Sequence, residues 1–163
     1  MTRANARELA VHLIYGRNFT GEDPQDVVAV RLNKEYYAQL SAENDVYAER
    51  PSRAQLAYID NVVAGVANRE EELNASIQKF SIGWDVSRIS RLARSVMQLA
   101  IFEILYVEDV PTGVAVSEAV RLAKKYNDEM GKFVNGILGS FVRSLKEQPA
   151  EETPAETAVT EEA

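Results

Sequence analysis

Between Thr2 and Lys146 the apolar residues return every three or four positions, and no stretch alternates convincingly with a period of two. A period near 3.6 commits a chain to helices that each bury one stripe, and leaves no place for a sheet. The clearest case starts at Ser52-Arg53-Ala54-Gln55, which has the form of a capping box, the glutamine reaching back to the cap. Ile59, Val62, Val63, Val66, Leu73, Ile77 and Phe80 then hold the period to about residue 80, and Gly83 stops it.

The same reading predicts helices over 3–18, 24–40, 52–80, 85–107, 113–127 and 132–146. Thr2 is the first N-cap, and Pro24 opens the second helix. Residues 41–51 form a polar loop ending at Pro51. Pro111 disfavours helix at Val110, and a tight break is expected near Met130-Gly131. Gly136 and Gly139 cost the last helix roughly 1 kcal/mol each and let a neighbour approach closely. The expected class is all-α, with six to seven helices in one domain over 1–146. Its natural division lies near Gly83, giving an N-terminal bundle of about 1–80 and a C-terminal bundle of about 84–146. Residues 147–163 are Glu, Thr, Ala and Pro, with Val159 the one large apolar side chain, and are expected to be a disordered acidic tail.

Residue types close off most catalytic chemistry. There are no cysteines among the 163 residues, so disulfides, thiolate zinc sites and cysteine nucleophiles are excluded. The single histidine, His12, rules out a multi-histidine metal site. No P-loop, GxGxxG, HExxH or EF-hand pattern occurs. A Ser-His-Asp triad would have to use His12, and metal sites built from carboxylates alone stay open, so most routes to an enzyme are narrow rather than closed. No apolar run approaches the ~20 residues that span a bilayer. Arg3, Arg7 and Glu8 stand where a signal peptide would be apolar, so a cytoplasmic location is expected.

The net charge of -7 is unfavourable for a nucleic-acid binder, but the charge is uneven. Residues 147–163 hold six acids and no base, and 20–49 hold seven acids against Arg31 and Lys34. The remainder carries 16 bases against 12 acids. Local clusters decide whether a polyanion can dock. Arg3, Arg7, Val11 and Tyr15 are spaced four apart on the first helix and make a slowly drifting ridge. Guanidinium groups ending in a phenol ring suit RNA, through phosphate contacts and base stacking; a solvated face with Tyr15 half-buried is the plainer alternative. Arg88, Arg91 and Arg94, three apart, offer a phosphate track but read better as a surface paired with acids such as Glu70–Glu72. Lys124 and Lys125 cap a helix dipole, and Lys132-Phe133 opens the last helix. His12 is expected at the surface.

Several blocks then read together. They are Ala6-Arg7-Glu8-Leu9-Ala10-Val11 with Tyr15, Ala64-Gly65-Val66, Arg94-Ser95-Val96-Met97-Gln98-Leu99-Ala100-Ile101-Phe102-Glu103-Ile104, Asp109-Val110-Pro111, Ser117-Glu118-Ala119-Val120-Arg121-Leu122-Ala123-Lys124-Lys125-Tyr126 and Gly131-Lys132-Phe133-Val134-Asn135-Gly136-Ile137-Leu138. Over about residues 2–145 they resemble the NusB family of bacterial transcription antitermination factors. The resemblance implies two packed three-helix bundles and a protein that is not an enzyme, with no cofactor or metal. It implies binding of the boxA element of leader RNA together with the ribosomal protein NusE, and joining of the elongating RNA polymerase complex with other Nus factors, notably on rRNA operons. It assigns RNA contacts to Arg3, Arg7, Tyr15, Lys132 and Phe133, and a NusE face to Phe102, Glu103, Tyr106 and Glu118. A homodimer that covers the RNA face occurs in some relatives. Ala4 and Asn5 stand where many relatives carry further arginines, and either Asp128 or Glu129 takes the place of a family acid tied to RNA binding. Two other readings of the same residues are a detached RNA-targeting module related to an rRNA methyltransferase and a helical adaptor that binds only protein.

Overall fold

The computed structural model describes residues 1–83 and 89–147. Among these the chain forms eight α-helices and no strand. They are α1 (Arg3–Thr20), α2 (Pro24–Arg31), α3 (Lys34–Leu40), α4 (Arg53–Asn68), α5 (Glu70–Lys79), α6 (Arg91–Tyr106), α7 (Thr112–Tyr126) and α8 (Asp128–Lys146), with a 3₁₀ turn over Asp45–Tyr47.

Helix starts follow side-chain chemistry. Thr2 accepts from the Asn5 amide to open α1, and Gly21, at φ 69°, ends it in the left-handed region that glycine adopts freely. The capping box expected at Ser52 and Gln55 is formed in full at the head of α4.

Three boundaries differ from those expected. The helix predicted over 24–40 is two, because Asn33 turns out of helical geometry and accepts from the Glu35 and Tyr36 amides to start α3. The helix predicted over 52–80 breaks at Arg69, after which Glu70, Glu71 and Glu72 occupy the first turn of α5, where carboxylates complement the dipole. The break expected at Met130-Gly131 falls at Asn127, whose side chain accepts from the Met130 amide at 2.7 Å. Gly131 is instead inside α8, with the aliphatic stem of Lys124 lying where a Cβ would stand. The start expected at residue 85 and Arg88 lie outside the described residues, as does the tail beyond Glu147.

One continuous apolar core joins all parts of the bundle. Helix α6 runs through its centre and touches α1, α4, α5, α7 and α8. Its Met97, Leu99 and Ile101 are almost wholly buried, each contributing about 1.5–3 kcal/mol. Gly65 lets α4 approach α6, since the Phe102 ring fills the space a Cβ would take. α5 packs chiefly on α6 and only lightly on α4.

Candidate nucleic-acid interface

Helix α1 positions the site because it faces three ways. Its apolar stripe of Leu9, Leu13 and Ile14 is in the core. A second, polar face turns inward against α6 and α7. A third turns outward beside the end of α7 and the start of α6.

On the inward face, Arg7 is 3% exposed. Its Nε donates to Glu103 Oε1 at 2.9 Å, Nη2 donates to Glu103 Oε2 at 2.9 Å, and Nη1 donates to Glu118 Oε1 at 3.2 Å. Glu103 also accepts from the Tyr58 hydroxyl at 3.1 Å, and Glu118 accepts from Arg121 Nε at 2.7 Å. Burial opposes the charge on Arg7, yet the hydrogen bonds and charge of Glu103, with the charges of Tyr58 and Glu118 behind them, leave its pKa raised. Burial, reinforced by the Glu103 carboxylate, raises Tyr58 as well. Bidentate Arg–carboxylate geometry of this kind fixes α1, α4, α6 and α7 in one register.

At the next residue, Glu8 accepts two bonds from Lys125 Nζ, at 2.8 and 3.0 Å. His12 lies between two tyrosines: Nδ1 is 2.9 Å from the Tyr47 hydroxyl and Nε2 is 3.2 Å from the Tyr126 hydroxyl. Burial lowers the His12 pKa; Glu8 opposes that shift, and the cations Arg31 and Lys125 add to it. The expected surface histidine is therefore largely covered and tied to both halves of the chain.

On the outward face, Tyr15 is half-buried and meets Phe19 edge-on, ring centroids 4.9 Å apart. Phe19 is 53% exposed, and the Arg91 guanidinium lies 4.4 Å from its ring centroid. Tyr126 is 41% exposed, beside Lys125. His12, Tyr15 and Phe19 fall on one side of α1, so their rings line up along it, and the flanking cations Lys125 and Arg91 come from α7 and α6.

The predicted RNA residues are thus divided. Arg3 is exposed, 4.3 Å over the Tyr58 ring and 3.8 Å from Asp109. Lys132 is exposed near the start of α8. Tyr15 is partly covered. Arg7 and Phe133 are buried, and Phe133 belongs to the core of α8. The ridge expected from the four-residue spacing is not one solvated face. Each step of four overshoots the helical turn by about 40°, and its middle members Arg7 and Val11 pass under α6 and α7.

The predicted partner face is divided in the same way. Phe102 is buried over Gly65, and Glu103 and Glu118 point inward to Arg7. Tyr106 alone reaches the surface. It donates to Glu72 at 2.7 Å, and the Arg69 guanidinium stacks 3.9 Å from its ring centroid. It edges a hollow of about 540 Å³ between α4 and α6, lined by Asn61, Ala64, Gly65, Asn68, Arg69 and Phe102. The sequence reading missed Phe19, whose spacing of four from Tyr15 was the available signal. Arg91, read there with Arg88 and Arg94 as a surface paired with acids, instead lies over the Phe19 ring, a partner on another helix for which there is no local signal.

Among the described residues, no group of three or more His, Asp or Glu side chains is placed to hold a metal ion, and no helix is long and apolar enough to cross a membrane. What the geometry defines is an all-helical bundle whose first helix clamps its neighbours through buried ion pairs and turns aromatic rings outward beside cations of α6 and α7. The chain belongs to the NusB family, whose sequence profile matches residues 4–143. It is 36% identical over 147 residues to the transcription antitermination protein NusB of Symbiobacterium thermophilum, covering 90% of this chain and 92% of that protein. It is 38% identical over 144 residues to the transcription antitermination protein NusB of Acetivibrio thermocellus, covering 88% and 90%. Among solved structures, NusB of T. maritima superposes with a TM-score of 0.71 at 23% identity, covering 88% of this chain and 92% of that one. A crystal structure of antitermination factors NusB and NusE in complex with dsRNA matches with a TM-score of 0.67 at 23% identity, covering 87% and 96%. Both share the fold described above.

Proposed function

We propose that this chain is an RNA-binding transcription antitermination factor. It binds the boxA element of leader RNA together with ribosomal protein NusE and joins the elongating RNA polymerase complex, notably on rRNA operons. The observation that carries this reading is the match of residues 4–143 to the NusB family, with relatives named as antitermination proteins. A structural neighbour that holds NusE and RNA supports the choice of partners.

Arg3, Tyr15 and Lys132 meet RNA directly in this reading, joined by Phe19 and Arg91. Arg7 and Phe133 act from beneath, holding α1 and α8 in place. Exposed cations contact phosphates, and the rings stack on unpaired bases. NusE docks over the hollow at Tyr106 and Phe102. Glu103 and Glu118 shape that face from within, through Arg7. No catalytic step is part of this mechanism.

Fluorescence anisotropy of a labelled boxA-type RNA tests the reading, with and without NusE and beside a scrambled RNA. Sequence-selective binding that NusE tightens is expected. Phe19→Ala should weaken it by about 1–3 kcal/mol, the usual worth of one stacked base. Equal affinity for both RNAs, unmoved by NusE, overturns the reading.

A further inference from the structure

Helices α7 and α8 pack closely along their length and leave a hollow on the outer side of their seam. Between them runs a groove of about 980 Å³, floored by Val116, Val120, Val142 and Leu145. Its rim carries Arg121, Lys124, Arg143 and Lys146, and no acidic residue lines it. Arg121 is paired with Glu118. Lys124, Arg143 and Lys146 have no ion pair among the described residues, Arg143 donating only to the Ser140 hydroxyl at 3.0 Å. An apolar floor under a cationic rim fits an extended acidic segment with an occasional apolar side chain.

The sequence supplies one at the right place. The last helical residue, Lys146, is itself part of the rim, and the chain leaves the described structure one residue later. Residues 148–163 contain Glu151, Glu152, Glu156, Glu161 and Glu162, no base, and Val159 as the sole large apolar side chain. From Asn135 to Lys146 the groove is about 17 Å long at 1.5 Å per helical residue. Sixteen residues reach up to about 50 Å when extended, enough to fold back along it. A short tether holds such a segment near the groove at an effective concentration in the millimolar range, so individually weak charge pairs suffice. We propose that residues 148–163 of this chain occupy the groove between α7 and α8, with their carboxylates against its cationic rim and Val159 toward its floor. The proposal rests on the groove and the charge pattern, independently of RNA binding.

The absence of cysteine makes a clean test possible, because Ala158→Cys gives the full chain one labelling site. A nitroxide there should broaden the amide signals of Val120, Lys124, Gly139 and Arg143 in an isotope-labelled chain, and leave those of α2 sharp. Raising salt from about 0.1 M to about 1 M shortens the screening length from about 10 to about 3 Å and should restore the signals. Lys124→Glu with Arg143→Glu should abolish the broadening while the spectrum stays dispersed. Should that pair unfold, neutralising Glu151, Glu152 and Glu156 to Gln must give the same loss. Broadening absent from the groove, or spread evenly over the molecule, overturns the proposal. So does equal broadening when spin-labelled chain is mixed with isotope-labelled chain lacking the label, since a second copy then fills the groove.

Discussion

Arg3 and Arg7 sit one turn apart on α1 and have opposite fates. Arg3 is 46% exposed at its side chain, rests 4.3 Å over the Tyr58 ring and meets an exposed Asp109 at 3.8 Å. Arg7 is buried, and its guanidinium donates to two carboxylates. One arginine keeps its guanidinium at the surface; the other is a structural pin. The difference teaches that a row of suitable residue types along a helix does not define a face. The neighbouring helices decide which members remain in solvent.

The comparison is broken most severely at its buried end. Arg7→Ala should destabilise the fold by about 3–5 kcal/mol, because it leaves the buried Glu103 carboxylate without its cation and with only the Tyr58 hydroxyl as donor. Urea denaturation measures this, and an unchanged midpoint would mean the pair is not buried in solution. Replacing Arg7 and Glu103 together by leucine should recover most of the loss, since no orphan charge remains. Gly65→Ala comes next. Its methyl would overlap the Phe102 ring and push α4 from α6, which also separates Tyr58 from Glu103. A loss of about 1–3 kcal/mol is expected in thermal melts; a rise in Tm would show that the ring moves aside freely.

His12 tests the ground between the two arginines. Its pKa is lowered in the fold, chiefly by burial, so the folded state favours the neutral ring. That contribution is complete above the unfolded value of about 6.5 and is lost as pH falls through the lowered folded one. The urea midpoint should therefore drop more between about pH 7.5 and 5.5 in the natural chain than in His12→Gln. Parallel curves would place the ring in water. The smallest effect belongs to Arg3→Ala, whose stability change should stay within about 0.5 kcal/mol. Its RNA affinity should nevertheless fall at low salt, with the log–log salt slope shallower by about 0.7 for one lost contact to a single strand. An unchanged slope would remove Arg3 from the interface.

The helical class and the burial stripes were legible because they depend on residues three and four apart. Thr2 and Ser52 announced their caps for the same reason. The break at Asn33 was readable in principle, as an Asn cap followed by Glu35, but no glycine or proline marked it. Asn127 was obscured by Gly131, which looks like a stop and serves as a close contact for Lys124. The candidate site was far less legible. Arg7 finds Glu103 and Glu118 at separations of 96 and 111 residues, and Arg91 meets Phe19 from another helix. No local pattern encodes such pairings, so Arg7 and Tyr15 look alike in sequence while one is sealed in and the other reaches the surface.

The long reach of Arg7 also sets a schedule for synthesis. Its second carboxylate partner is made 111 residues after it. At about 5–20 residues per second, the ribosome needs roughly 6–22 s to deliver Glu118. Glu103 emerges 96 residues after Arg7 and Glu118 only 15 residues later, so until α7 has been translated the nascent α1 carries an arginine whose set of native partners is incomplete, and the helix cannot lock into its final seat.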